Sequence, residues 1–247
     1  MEAKIGRLLF LKYKNKNEAL TSLAKDLNNA LSVGKEKGVP ILLLLSGGSS
    51  FEVLELVSKD VLGTNVTISV LDERYDPTNR DNNFSQLKRL SFFQKAQSAE
   101  CHFIDTSVKK GQSQKELAEY FENSLKEWKK DNPDGVIFAT AGIGADGHTA
   151  GIMPHKYPQE ENEFYKLFDS RKWVCAYDAG QKNKFSERVT TTNTFLRQIN
   201  KVFIFISGKE KRKAFLNFKK DGICVEVPAR ILKEINGAVY ISNNVIS

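Results

Sequence analysis

The sequence predicts an α/β protein with a largely parallel central sheet. Apolar runs of strand length alternate with stretches of helical spacing along the whole chain. Two of the runs, Ile41 to Leu45 and Val202 to Ile206, are apolar without interruption, as strands covered on both faces of a parallel sheet must be. Glycine-rich turns follow these runs and a third at Gly135 to Thr140. In open α/β sheets the carboxyl ends of strands are where ligands bind.

Taken in order, Lys4 to Tyr13 reads as a first strand, with Ile5, Leu8, Leu9, Phe10 and Leu11 as its apolar content. Asn17 to Lys37 places Leu20, Leu23, Ala24, Leu27, Ala30 and Leu31 at helical spacing, and Gly38-Val39-Pro40 stops it. The strand Ile41 to Leu45 runs into Ser46-Gly47-Gly48-Ser49-Ser50, and a helix is expected from Ser50 to Leu62. Val66 to Leu71 is a strand that delivers Asp72-Glu73-Arg74-Tyr75 at its end. A loop over Asp76 to Asn83 and a short helix from Phe84 to Leu90 follow. Cys101 to Ile104 is a short strand and Gln114 to Lys130 an amphipathic helix. Beyond the glycine-rich turn after Thr140, Pro154 and Pro158 flank an irregular segment to Phe168. Trp173 to Tyr177 is a strand, Arg188 to Thr192 a β-branched stretch, and Thr194 to Ile199 a helical turn. After Val202 to Ile206 a helix carries Lys211 on its first turn. Val227 to Leu232 forms a short helix and Gly237 to Ser242 a last strand.

A chain of 247 residues, 40% hydrophobic and 27% charged, can bury a full core and is neither disordered nor fibrous in composition. Without a Pro/Ser/Gly-rich linker, one domain over residues 1–247 is expected. The longest apolar run, Val39 to Leu45, falls far short of the roughly 20 residues of a membrane helix. Met1 to Ile5 lacks a secretory pattern. The three cysteines, Cys101, Cys175 and Cys224, are odd in number and without CxxC spacing, so a disulfide framework is not indicated and a reducing cytoplasm is the expected location. The net charge of +7 favours anionic partners, but the lysines are dispersed among Asn, Asp and Glu rather than interleaved with aromatics. A small anion fits better than nucleic acid, and no membrane partner is expected.

Chemistry concentrates at the turns. Strand, Ser46-Gly47-Gly48-Ser49, helix is a phosphate-binding arrangement, because backbone N–H groups at a helix start and small hydroxyls converge on an anion. It lacks the lysine of a nucleotide P-loop. Gly142-x-Gly144-x-x-Gly147 formally matches a dinucleotide fingerprint, but Pro154 and Pro158 interrupt the long helix that motif requires. The next strand ends about 30 residues on, at Asp178, instead of about 20. The same turn carries Asp146 and His148, and a carboxylate that orients an imidazole suits a general base. His102 and His155 show no metal-ligand spacing with His148, so no metal is expected.

Ser46-Gly-Gly-Ser49, Leu71-Asp72-Glu73-Arg74 with Asn83-Phe84, and above all Gly142-Ile-Gly-Ala-Asp-Gly-His-Thr-Ala-Gly-Ile-Met-Pro154 resemble the 6-phosphogluconolactonase family. That family belongs to the wider glucosamine-6-phosphate deaminase/isomerase superfamily. Glu187-Arg188-Val-Thr, Ser207-Gly208-Lys-Glu-Lys211 and Pro228-Ala229-Arg230 extend the likeness collinearly from about residue 40 to 240. The resemblance implies a Rossmann-like three-layer α/β/α fold and hydrolysis of 6-phospho-D-glucono-1,5-lactone in the oxidative pentose phosphate pathway, without a cofactor or metal. It also implies site residues: Ser46, Gly47, Gly48, Ser49, Arg188 and Lys211 for the phosphate, with Asp72 in the substrate-binding set. His148 would be the general base, Asp146 its orienting carboxylate, and Arg74 would serve the oxyanion or lactone hydroxyls. A monomer or small homo-oligomer is expected.

The chain departs from the family at Gln181-Lys-Asn-Lys-Phe-Ser-Glu187, where adjacent prolines are usual, and at Gly151-Ile-Met, where Ser-Leu-Phe is common. An amino-sugar phosphate deaminase/isomerase is the neighbouring alternative. Those enzymes carry Asn-Glu-Pro after the histidine, where this chain has Ile152-Met153-Pro154, and an aromatic residue where it has Arg74. A non-catalytic sugar-phosphate sensor would not need Asp146 and His148.

Overall fold

The computed structural model describes residues 3–246; part of the signal-free reading at Met1 to Ile5 lies outside them. The first expected strand is a hairpin, β1 (Ala3–Ile5) and β2 (Leu8–Tyr13), antiparallel and turned by Gly6 at φ +59°. Helix α1 (Lys16–Glu36) starts at Asn15, whose side chain accepts from the Glu18 amide at 2.9 Å. Strand β3 (Ile41–Leu45) follows, then β4 (Val66–Val70), β5 (Asp72–Arg74), α2 (Asn83–Leu87), α3 (Ser91–Ser98), β6 (His102–Phe103), α4 (Gln114–Asp131) and β7 (Val136–Gly142). The remainder comprises α5 (Glu161–Phe168), β8 (Val174–Asp178), β9 (Glu187–Thr191), α6 (Asn193–Leu196), β10 (Lys201–Ile206), α7 (Arg212–Lys219) and β11 (Gly237–Ser242).

Eight strands form the central sheet in the order β1-β2-β11-β10-β7-β3-β4-β6, parallel except for the β1–β2 hairpin. From β3 the chain builds outward through β4 to β6. It then returns to the other side of β3 with β7 and continues through β10 to β11. The order therefore reverses between β3 and β7, the switch point at which open α/β sheets form a crevice.

Alternation along the strands divides the core into two. On β3, Leu42 and Leu44 face one cluster with α4, α5 and α7, while Ile41, Leu43 and Leu45 face another with α1, α2 and α3. Val202, Ile204 and Ile206 of β10 lie in the first cluster, Phe203 and Phe205 in the second. The result is the expected three layers, with helices on both faces. Burying Leu23, Leu27 and Leu31 of α1, each fully inaccessible, is worth about 1.5–3 kcal/mol apiece relative to exposure.

Three expectations are corrected. Ser50 to Leu62 is not an α-helix but two 3-10 helices, Gly48–Leu56 and Lys59–Val61, and in the first the buried residues recur at intervals of three, Ser50 with Val53 and Phe51 with Leu54. The segment before Phe168 contains α5, which buries Phe164 and Phe168 one turn apart. The charged cluster after β4 is itself a strand, β5, which leaves the central sheet and pairs antiparallel with β9. With β8 these make a separate three-stranded sheet.

Candidate active site

Adjacent parallel strands β10, β7 and β3 each end in a glycine-containing turn, and the three turns meet at one cavity of about 320 Å³ at the switch point. Ser46 to Ser50 enter after β3, Gly142 to Gly151 at and after β7, and Lys211 after β10. The small sheet closes the cavity by contributing Asp72 and Arg74 from β5 and Arg188 from β9. Every site residue expected from the sequence lines this cavity except Asp146, which stands behind His148.

The Asp146 carboxylate and His148 Nδ1 are 2.6 Å apart, and the same carboxylate oxygen accepts from the His148 amide at 3.1 Å. An ionised carboxylate accepts only, so Nδ1 carries the proton and Nε2 is the basic nitrogen. Burial alone would raise the Asp146 pKa, but the bond to His148 and its charge outweigh it and hold the carboxyl below its ordinary value. The turn is locked on itself: the Gly144 amide donates to the His148 carbonyl at 2.9 Å, and the Thr149 hydroxyl donates to the Gly142 carbonyl at 2.9 Å. Gly144 is required because a Cβ there would collide with the His148 ring and the Asp146 carboxylate. The Asp–His pair thus occupies space that only glycine leaves open.

Gly47 caps the first 3-10 helix without a side chain over its leading amides, and Gly48 takes φ +66°. The amides of this turn and the Ser46 and Ser49 hydroxyls remain suited to an anion, although the helix is 3-10 rather than α. Lys211 sits on the first turn after Gly208, as expected, within a short 3-10 helix, Lys209–Lys211. Burial pushes its ammonium below the ordinary lysine pKa.

Arg188 is buried and its guanidinium is shared out. Nη1 donates to Asp72 at 3.1 Å, Nη2 to the Asn183 side chain at 3.0 Å, and Nε to the Phe185 carbonyl at 2.9 Å. Arg74 lies directly opposite Arg188 in the β5–β9 register. Its Nε is buried with no hydrogen-bond partner, while its guanidinium carbon lies 4.4 Å from the centre of the Phe185 ring. Burial, then the neighbouring Arg188 charge, lowers the Arg74 pKa.

Glu73 between them points away from the cavity and is wholly buried. It accepts from the amides of Arg74, Asn83 and Phe84 and from the Thr106 hydroxyl. Burial drives its pKa up to about 8 against those four donors.

Sequence reasoning did not assign Asn83, Asn183 or Phe185 to the site, yet all three line the cavity. Asn83 holds the Asp72 carbonyl with its amide at 2.9 Å, and its side chain abuts Gly47, where a Cβ would clash. Asn183 and Phe185 belong to the segment that departs from the family pattern, and their nearness to Arg188 was the available signal.

Fold and cavity together define an α/β protein that receives a small anionic ligand at the carboxyl ends of its strands, with an Asp-oriented histidine beside it. More particularly, residues 14–241 match the family described as glucosamine-6-phosphate isomerases/6-phosphogluconolactonase, and the chain belongs to that family. A 6-phosphogluconolactonase of Neisseria meningitidis is 32% identical over 208 residues, 82% of this chain and 84% of that protein. The 6-phosphogluconolactonases of Trypanosoma brucei and Plasmodium vivax have solved structures that match at TM-scores of 0.75 and 0.75 with 17% and 14% identity. They cover 96% and 98% of this chain and 96% and 92% of their own, a likeness that shows the fold.

Among the described residues no group of three or more His, Cys, Asp or Glu is arranged to hold a metal ion, and no helix is long and apolar enough to cross a membrane.

Proposed function

We propose that this chain hydrolyses 6-phospho-D-glucono-1,5-lactone to 6-phospho-D-gluconate, with His148 as general base. The observation that carries the reading is the Asp146–His148 pair facing one cavity with Lys211, Arg74, Arg188 and the Ser46–Ser49 turn. The phosphate lies against the turn, Lys211 and Arg188, where amides, hydroxyls and cations satisfy a dianion. Nε2 of His148 takes a proton from water as its oxygen attacks the lactone carbonyl carbon. The tetrahedral oxyanion is met by the unsatisfied donors of Arg74. The ring C–O bond then breaks, and the departing ring oxygen takes the proton back from His148, leaving the open-chain acid.

The deaminase reading finds less support. Ile152 and Met153, where those enzymes carry Asn-Glu, are fully buried in the apolar core, and Asp72, the cavity's carboxylate among the described residues, is paired to Arg188. The test is lactone hydrolysis, with substrate generated by glucose-6-phosphate dehydrogenase and spontaneous opening subtracted. His148→Ala is expected to lower kcat about 10²–10⁴-fold, the range that general-base catalysis supplies. Absence of acceleration by the wild type, or full activity in the variant, sinks the proposal.

A further inference from the structure

Two arginines face each other at the cavity wall, and the protein treats them differently. Arg188 has a hydrogen-bond acceptor for each of its three guanidinium nitrogens. Arg74 has no side-chain hydrogen bond or ion pair to any described residue, and its buried Nε is orphaned. A long side chain with several rotatable bonds, repelled by a cation directly across the strand pair, does not keep one orientation unaided. The specific contact that orients it is the Phe185 ring, 4.4 Å from its guanidinium carbon. An aromatic face attracts a guanidinium through its quadrupole without using any N–H donor. Phe185 therefore fixes Arg74 while leaving its donors to a ligand, which a carboxylate or carbonyl partner would not do.

Phe185 is itself fixed by its short segment. Its amide donates to the Asn183 side chain at 3.0 Å, and its carbonyl and that same Asn183 oxygen both accept from Arg188. Lys182, beside Asn183, is pinned to Glu160 at 2.9 Å. The satisfied arginine thus anchors the segment whose ring orients the unsatisfied one.

We infer that Phe185 is a positioning residue: through its ring it holds Arg74 over the cavity so that the Arg74 donors meet the lactone end of the substrate. The inference rests on the reading of Arg74 in the proposed reaction. Phe185→Leu keeps bulk but removes the aromatic face, and Phe185→Tyr restores the face. The leucine variant is expected to lose about 3- to 30-fold in kcat/KM, mainly in kcat, and the tyrosine variant to stay within about 2-fold of wild type. In an Arg74→Ala background the leucine substitution should have no further effect, because Phe185 then has nothing to orient.

A readout without turnover accompanies these: calorimetry should show Phe185→Leu weakening 6-phosphogluconate but not inorganic phosphate. Equal losses in the leucine and tyrosine variants, an unchanged leucine variant, or an undiminished leucine effect without Arg74 overturns the inference. If the wild type fails to hydrolyse the lactone, the proposed activity falls, while the calorimetric comparison still decides whether Phe185 acts through Arg74.

Discussion

Lys211 reaches the cavity with its charge weakened by burial and with no hydrogen-bonded or ion-paired partner among the described residues. Its folded-state pKa is lowered, so the ammonium is lost earlier on the alkaline side than in a free lysine. Below that lowered pKa the cation is present and assists a phosphate; as pH rises through it, affinity falls. Calorimetric titration of 6-phosphogluconate, which does not open in alkali as a lactone does, should therefore show the dissociation constant climbing with pH in the wild type. Lys211→Ala should bind about 10- to 100-fold more weakly at neutral pH, the cost of removing one charge-assisted bond, and should lose that pH dependence. A flat wild-type profile, or an alkaline limb that survives the substitution, would show that Lys211 does not hold the phosphate. At this scale the sequence was readable where one residue type permits one geometry, as at Gly144 beneath the Asp146–His148 pair. It was silent on Phe185, because a ring in a polar loop gives no sign of which cation it covers.

The loop from Asp76 to Asn82 shows what the small sheet costs and how the chain meets it. After β5 the backbone must turn toward α2, and the Asp76 carboxylate gathers the turn. It accepts from the Arg80 and Asp81 amides at 2.9 Å each, and from the Thr78 amide and hydroxyl at 2.9 and 2.7 Å. The amide of Asp81 contributes most to lowering its pKa to about 2. A carboxyl whose folded pKa is depressed below an unfolded value near 3.8 contributes stability above that value and loses it as pH falls toward 2. Urea midpoints of wild type and Asp76→Asn should thus differ most near neutrality and converge on acidification. A constant gap would assign the loss to packing instead.

Element by element, the apolar strands and the long helices α1 and α4 could be read directly, since full burial and 3.6-residue spacing leave a compositional trace. Strand β5 could not. It is three residues long, carries Asp, Glu and Arg, and pairs with β9 more than a hundred positions later, so its strand character is set by tertiary pairing alone.

On the scale of the whole molecule, the reversal of strand order between β3 and β7 opens the crevice, and the detached sheet roofs it with two cations. The two-layered core was legible because β3 and β10 are apolar at every position. The roof was not, because its residues come from distant parts of the chain and are polar. Arg74 opposite Arg188 in an antiparallel pair is an arrangement that folding alone disfavours, since like charges directly across strands are destabilising. An anion between them relieves the repulsion and adds binding energy to the folded state, about 2.7 kcal/mol at a concentration one hundred times its dissociation constant. Thermal unfolding of Arg74→Gln without ligand should accordingly begin at or above the wild-type midpoint, with a smaller rise on adding 6-phosphogluconate. A variant that melts earlier yet gains as much from the ligand would contradict this. The register of a single short strand pair thus makes the substrate a missing counter-ion of the fold: the protein is electrostatically frustrated by design of its site, and turnover, which converts a neutral lactone ring into an additional carboxylate, changes the charge that relieves it.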